Sequence, residues 1–282
     1  MNVRAQFGLL RRRLLSSVYS RRVPLGARGP IISFTFDDFP QTALTIGGSI
    51  LKAYGVRGTY YAAVGLMNIS NHQGDHFRRE DLEALLRDGH ELASHTFSHV
   101  SCRGVSCSEF REEVAKGRRA IEELTGWSDS GHFAFPFGEV TLDAKKTVGL
   151  DLASSRGIWS GLNGPEVDLN LLRANSLYGD RDKCAQVQEL ILENERRKSW
   201  LIFYSHDVRD TPSRFGCTPE LLEFAVSFAS QRSACILTVA DVVAGLTADQ
   251  TGSCFAGSVV TEGSKQLSAA YSDCSSNRNE NW

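Results

Sequence analysis

Two adjacent carboxylates, Asp37 and Asp38, close the apolar run IISFTFDDFP at residues 31–40, and two histidines, His95 and His99, stand four residues apart in SHTFSH. Neighbouring acids at the end of a buried strand repel each other unless a proton or a cation compensates them. A divalent metal ion would do so. Zinc at a catalytic site takes about three protein ligands and keeps a position for water, which it acidifies. Asp38, His95 and His99 supply that number of oxygen and nitrogen donors, leaving Asp37 to accept a proton from the water as a general base. The ordinary alternative for Asp37 is a cap on the helix that begins just after it. The histidine spacing matches that of HExxH zinc helices, but the glutamate is missing and a strand-like segment precedes the pair. These residues point to a hydrolase.

Two further clusters extend the chemistry. His206 follows the near-continuous apolar stretch WLIFYS, and is read either as a core histidine bonded to a carbonyl or as the general acid that protonates a leaving nitrogen. Asp207 beside it is expected to point away or to cap the next turn. The segment FAFPFG at 133–138 reads as a strand ending in a proline-fixed turn. Its backbone offers the Phe137 N–H as an oxyanion donor, a role that needs no particular side chain.

The elements that must position these groups show in the alternation of apolar runs and helical periods. Strands are expected at 31–36, 57–64, 90–94, 132–136, 151–155, 171–177, 201–205 and 234–237. Helices are expected near 41–54, 79–88, 107–125, 142–149, 183–197, 219–231 and 239–246. Ser106 with Glu109 forms a capping box, and Thr218-Pro219-Glu220 puts a cap, a proline and an acid in the preferred order. Such alternation predicts a parallel sheet with crossover helices. Asp37-Asp38, His95 with His99, Pro136-Phe137-Gly138 and His206 all fall just past strand carboxyl ends, where a β/α barrel gathers its active site.

Composition sets the outer limits. The 282 residues suit one large α/β domain or two small ones, and with 41% hydrophobic and 23% charged residues and a net charge of −2 they give no reason to expect nucleic acid. No apolar stretch approaches the roughly 18–20 residues of a membrane helix. Residues 1–29 form a basic leader with seven arginines and no acid. It is read as partly helical, with peripheral contact to an anionic membrane surface or a transit role as alternatives. Residues 30–247 form the catalytic domain. Residues 248–282 form a Ser-, Gly- and Asn-rich tail expected to be disordered. The seven cysteines are odd in number and lack a CxxC, which reads as reduced thiols in a cytoplasmic protein, resting at most on the inner membrane surface.

In order along residues 30 to 245, FTFDDFP, SHTFSH, FAFPFG and the strand-end His206 resemble the motifs of the NodB-type polysaccharide deacetylases, carbohydrate esterase family four. The resemblance implies a distorted (β/α) barrel and one divalent ion, usually zinc, on Asp38, His95 and His99. It also implies Asp37 as base, His206 as acid and a carbohydrate substrate carrying N-acetyl groups. Two positions depart from the family pattern. Many members have Gly where this chain has Phe39, so Phe39 is expected at the rim of the groove, with Pro136 and Phe137 as further substrate contacts. Many also carry an arginine at the position of Ala134 to orient the base. Arg156, just past strand 151–155, is expected to replace it within hydrogen-bonding reach of Asp37, with Arg173 as the next choice. The rival functions are a same-fold hydrolase of another C–N bond, such as a cyclic amide or ureide, and a catalytically silent sugar-binding module.

Overall fold

The strand Ile31–Asp37 is buried along its whole length, and its two faces differ in kind. Ile32, Phe34 and Phe36 pack into the main apolar core, whereas Ser33, Thr35 and Asp37 alternate with them on the other face. The computed structural model describes residues 14–128 and 130–251. Among them the main sheet has eight parallel strands, with Ile31–Asp37 between Trp200–Ser205 and Thr59–Ala62. Beyond Thr59–Ala62 come Glu91–Ser94, His132–Ala134 and Ser154–Arg156 in order. On the other side Trp200–Ser205 pairs with Asn175–Ser176, and Cys235–Ile236 pairs with the start of Ile31–Asp37. The sheet curls, and a single bridge between Arg156 and Leu172 joins its two edges into a distorted barrel.

Helices Arg79–Arg87, Cys107–Thr125, Leu142–Asp151, Cys184–Arg197, Pro219–Ser230 and Val239–Thr251 follow the expected positions. Ser106 and Glu109 make the anticipated reciprocal cap, and Thr218 accepts from the Leu221 N–H at 3.3 Å. The helix expected at 41–54 is a π-helical turn, Ala43–Gly48, running into a short α-helix, Ser49–Ala53. The strand expected at 171–177 is divided between the Leu172 bridge and the pair Asn175–Ser176. The last helix runs to Thr251, past the expected end of the domain.

The basic leader is only partly separate from this domain. Leu15, Val23 and Leu25 are buried, and Arg22–Pro24 pairs with Glu166–Asp168 as a second, antiparallel sheet. Lys145, itself fully buried, donates to the Leu15 carbonyl at 2.6 Å, to the Ser20 hydroxyl at 3.0 Å and to Asp168 at 2.7 Å. Residues 14–29 therefore belong to the folded body rather than to a detached leader. Residues 1–13, the greater part of the tail and the disorder expected of it lie outside the described residues. No helix among those described is long and apolar enough to cross a membrane. Cys102, Cys107, Cys184 and Cys217 are free, but Cys235 is disulfide-bonded, so the expectation that every cysteine is reduced does not hold.

Candidate active site

Asp37 is the last residue of its strand and keeps the inward phase of Ser33 and Thr35. Asp38 would point the opposite way if the strand continued. Instead Asp38 and Phe39 take left-handed backbone, with φ of 62° and 58°, and the chain turns so that both carboxylates meet at one barrel end. The same turn drops the Phe39 ring into the core. It is fully buried, stacked on Phe77 at 4.9 Å and tilted against Tyr60 at 5.2 Å. Phe39 is thus not a rim residue, and the substrate contact expected of it is corrected. Pro136 is likewise buried within its turn and does not line the cleft.

The histidine turn is held from behind by the helix Cys107–Thr125. Glu113 accepts the Ser98 N–H on its side chain at 2.7 Å and the Phe97 N–H on its backbone carbonyl at 3.1 Å. Gly117 lets the helix come close, since a Cβ there would lie 2.8 Å from the Thr96 carbonyl. Thr96 and His99 also have positive φ, 61° and 53°. Backbone strain of this kind gathers where a site fixes side-chain direction.

His95 Nε2 lies 3.3 Å and His99 Nε2 3.0 Å from the same oxygen, Asp38 Oδ1. His95 donates Nδ1–H to the Ala134 carbonyl at 2.7 Å, which leaves a lone pair on Nε2 aimed at that oxygen. Two acceptors facing each other in a buried place need a cation or a proton between them. Asp38 Oδ1 is buried without a hydrogen-bond partner, and the three ligand atoms lie within 4.8 Å of one another. Donors at about 2.1 Å from one ion are separated by about 3.0–3.4 Å in octahedral or tetrahedral arrangements, and the two separations from Asp38 Oδ1 fall in that range, so these residues suit a divalent ion. Burial opposes ionisation of Asp38, but the imidazoles of His95 and His99 beside it hold its carboxyl well below the usual carboxylate range.

Arg156 is buried and donates to Asp37 Oδ1 through Nη2. Nη1 donates to the Gly157 carbonyl at 3.1 Å, and the guanidinium lies 4.8 Å from the Tyr61 ring and 5.2 Å from the Tyr204 ring. Arg156 is the register partner of Ala134 on the next strand, so it occupies the same layer as the arginine expected at that position. Arg173 instead donates to the Ser160 carbonyl.

His206 Nε2 is 3.8 Å from Asp38 Oδ2, while Nδ1 sits 3.1 Å from the Phe215 carbonyl, to which it donates. Asp207 turns away and binds its own loop, accepting from Arg209 Nε at 2.8 Å and from the Ser213 N–H at 2.7 Å. Phe137 has φ 59°, is 60% exposed and lies 4.5 Å from the His99 ring. Its turn is closed by Gly138 N–H to Phe135 and Glu139 N–H to Pro136, a pattern that does not use the Phe137 N–H.

A cleft of about 380 Å³ opens over these groups, with Phe137, Ile158, Tyr178 and Phe215 as apolar walls. The hairpin formed by Ser70–Asn71 and Gly74–Asp75 also lines it, through Asn71, His72 and Gln73. Sequence reasoning missed this hairpin and the walls at Tyr178 and Phe215. A two-residue strand has no periodicity to read, although the Gly in SNHQGD was a turn signal.

Residues 26–152 match the polysaccharide deacetylase family. Over 143 residues the chain is 27% identical to the peptidoglycan-N-acetylglucosamine deacetylase PgdA of Listeria monocytogenes, covering 50% of this chain and 29% of that protein. The chain thus spans less than a third of that relative's length. Two solved structures share the fold. One is the Xyl-CE4 domain of a multidomain xylanase from the hindgut metagenome of Trinervitermes trinervoides, with a TM-score of 0.54 and 17% identity over 79% of this chain and 91% of that one. The other is a family 4 acetyl xylan esterase from Clostridium thermocellum in complex with a cobalt ion, with a TM-score of 0.54 and 20% identity over 76% and 90%. The motif residues, their meeting at one barrel end and the comparisons agree: residues 26–152 match the polysaccharide deacetylase family, and the curled parallel sheet that gathers them is the fold of these two solved structures.

Proposed function

We propose that the chain is a metal-dependent hydrolase that removes acetyl from an N-acetylated amino sugar in an oligo- or polysaccharide. The observation that carries this reading is the shared Asp38 Oδ1 contact of His95 and His99, with an arginine-held carboxylate beside it and a third imidazole opposite. A divalent ion on Asp38, His95 and His99, zinc by its donor set, would supply Lewis acidity toward the acetyl carbonyl and a water molecule. Asp37 is placed to accept a proton from the attacking water. Arg156 holds one Asp37 oxygen and so directs the other. The Phe137 N–H donates to the oxygen that gains charge at the acetyl carbon. His206, its Nδ1–H fixed on Phe215, delivers a proton from Nε2 to the departing sugar nitrogen when the ring is an imidazolium.

The test is acetate release from chito-oligosaccharides by the protein loaded with zinc. Asp37→Asn should keep about one ion per chain and lose turnover by about 10²–10⁴-fold, because proton acceptance goes while the ligands remain. Near-normal turnover with the ion bound would return Asp37 to a structural cap. Ring opening of a cyclic amide without acetate release would replace the substrate class.

A further inference from the structure

The hairpin Ser70–Asp75 reaches the reacting centre through Gln73. The residue is 3% exposed, and Nε2 donates to Asp38 Oδ2 at 2.9 Å. The orientation of the amide follows from chemistry: Oε1 turned toward the carboxylate would set acceptor against acceptor. Asp38 thus has its two oxygens divided. Oδ2 is held by Gln73, and Oδ1 is left to the two imidazoles.

The hairpin is itself fastened at both ends. The Gln73 N–H donates to the Asn71 side chain at 2.8 Å, and the His76 N–H donates to the Ile69 carbonyl at 2.8 Å. Arg209 Nη2 donates to the His72 carbonyl at 3.0 Å, while Arg209 Nε binds Asp207. His72 also meets the Phe215 ring edge-on at 6.2 Å, and Phe215 carries the carbonyl that orients His206. One brace therefore touches the acidic ligand and the loop that aims the third imidazole.

We propose that Gln73 is a positioning residue that fixes Asp38 as a one-oxygen metal ligand and so couples closure of the 70–75 hairpin to ion binding. This rests on Asp38 as a ligand in the reading above. Partners of ligating groups commonly contribute about 10- to 100-fold in metal affinity. Coupling is reciprocal: if the closed hairpin tightens ion binding by some factor, the ion must stabilise the closed hairpin by the same factor.

The experiment measures zinc affinity by chelator competition for the wild type and for Gln73→Leu. The variant should bind about 10- to 100-fold more weakly while the ion-free protein melts at the wild-type temperature. Affinity within about twofold of wild type, in a folded variant, would overturn the proposal. A second measurement needs no variant. Amide exchange at Gln73 and His76 of the wild-type protein should slow by about 10- to 100-fold on adding zinc, as linkage requires. Unchanged exchange at both amides with the ion bound would overturn it as well. Neither readout uses turnover, so failure here and failure of the deacetylase reading are told apart.

Discussion

In the proposed reading Asp37 accepts a proton from water, which requires a carboxylate that is aimed with one oxygen free, and Arg156 aims it by holding Oδ1. Arg156 is the buried cation paired with it, within 4.8 Å of the Tyr61 ring and 5.2 Å of the Tyr204 ring. Removing one partner of a buried pair strands the other charge, which costs about 3–5 kcal/mol. Arg156→Met should therefore lower unfolding stability at pH 7 by about that much in urea titration, and acetate release should fall with it. Arg156→Lys should lie between the two, because it keeps the charge and loses the planar fork. The reach of Arg156 could be read from the sequence, since it follows a strand at the same barrel end as the motifs. The place of Phe39 could not. Non-glycine residues seldom adopt positive φ, and nothing in FDDFP announces two in succession. An extended reading puts the ring at the rim, whereas the turn sends it into the core.

The histidine turn and the helix Cys107–Thr125 act as one element. Gly117 is the contact point, and an added methyl would meet Thr96 carbonyl atoms at 2.8 Å. Backbone cannot step aside as a side chain can, so Gly117→Ala should push the turn and misplace His95 and His99. We expect a loss of about 1–3 kcal/mol from overpacking, with weaker zinc binding, and thermal melting with and without the ion measures both. A variant as stable as wild type with unchanged affinity would show that the turn has slack. Elements of this size were the most legible part of the chain. Ser106 with Glu109 and Thr218-Pro219 marked helix starts, and buried β-branched runs marked the central strands. Arg22–Pro24 and Glu166–Asp168 escaped because they are three residues long and exist only through each other, far apart in sequence, and the 70–75 hairpin because its strands are two residues each.

Across the whole molecule the two barrel ends carry opposite duties. The carboxyl ends of the strands hold the ionisable groups of the site, whereas the amino ends hold Glu91, buried beneath the last helix. Glu91 accepts from Thr59 at 2.8 Å and from the Ala240 N–H at 2.9 Å, yet its other oxygen has no partner. Burial, with Asp241 adding to it, pushes its carboxyl up from 4.5 to about 7. The folded chain therefore keeps this proton where the unfolded chain has lost it. Stability attributable to Glu91 is whole below about pH 4.5, falls as pH rises through that window and is gone above about pH 7. Glu91→Gln should match wild type near pH 4 and exceed it near pH 8 by up to about 3 kcal/mol, as urea midpoints across the range would show. A parallel profile for both proteins would remove the assignment. The parallel topology followed from strands alternating with helices and the barrel from the motifs at strand carboxyl ends, but the particular bridge between Arg156 and Leu172 did not, because one bridge leaves no pattern. The pinned segment at residues 14–25 bears on where this protein can be cut for expression. A clone started at residue 26, where the family match begins, would delete Leu15, Val23 and Leu25 from the interior and strip Lys145 of two of its three acceptors. Its ammonium would be left buried on Asp168 alone, and such a clone should aggregate or melt early where one started before residue 14 stays soluble.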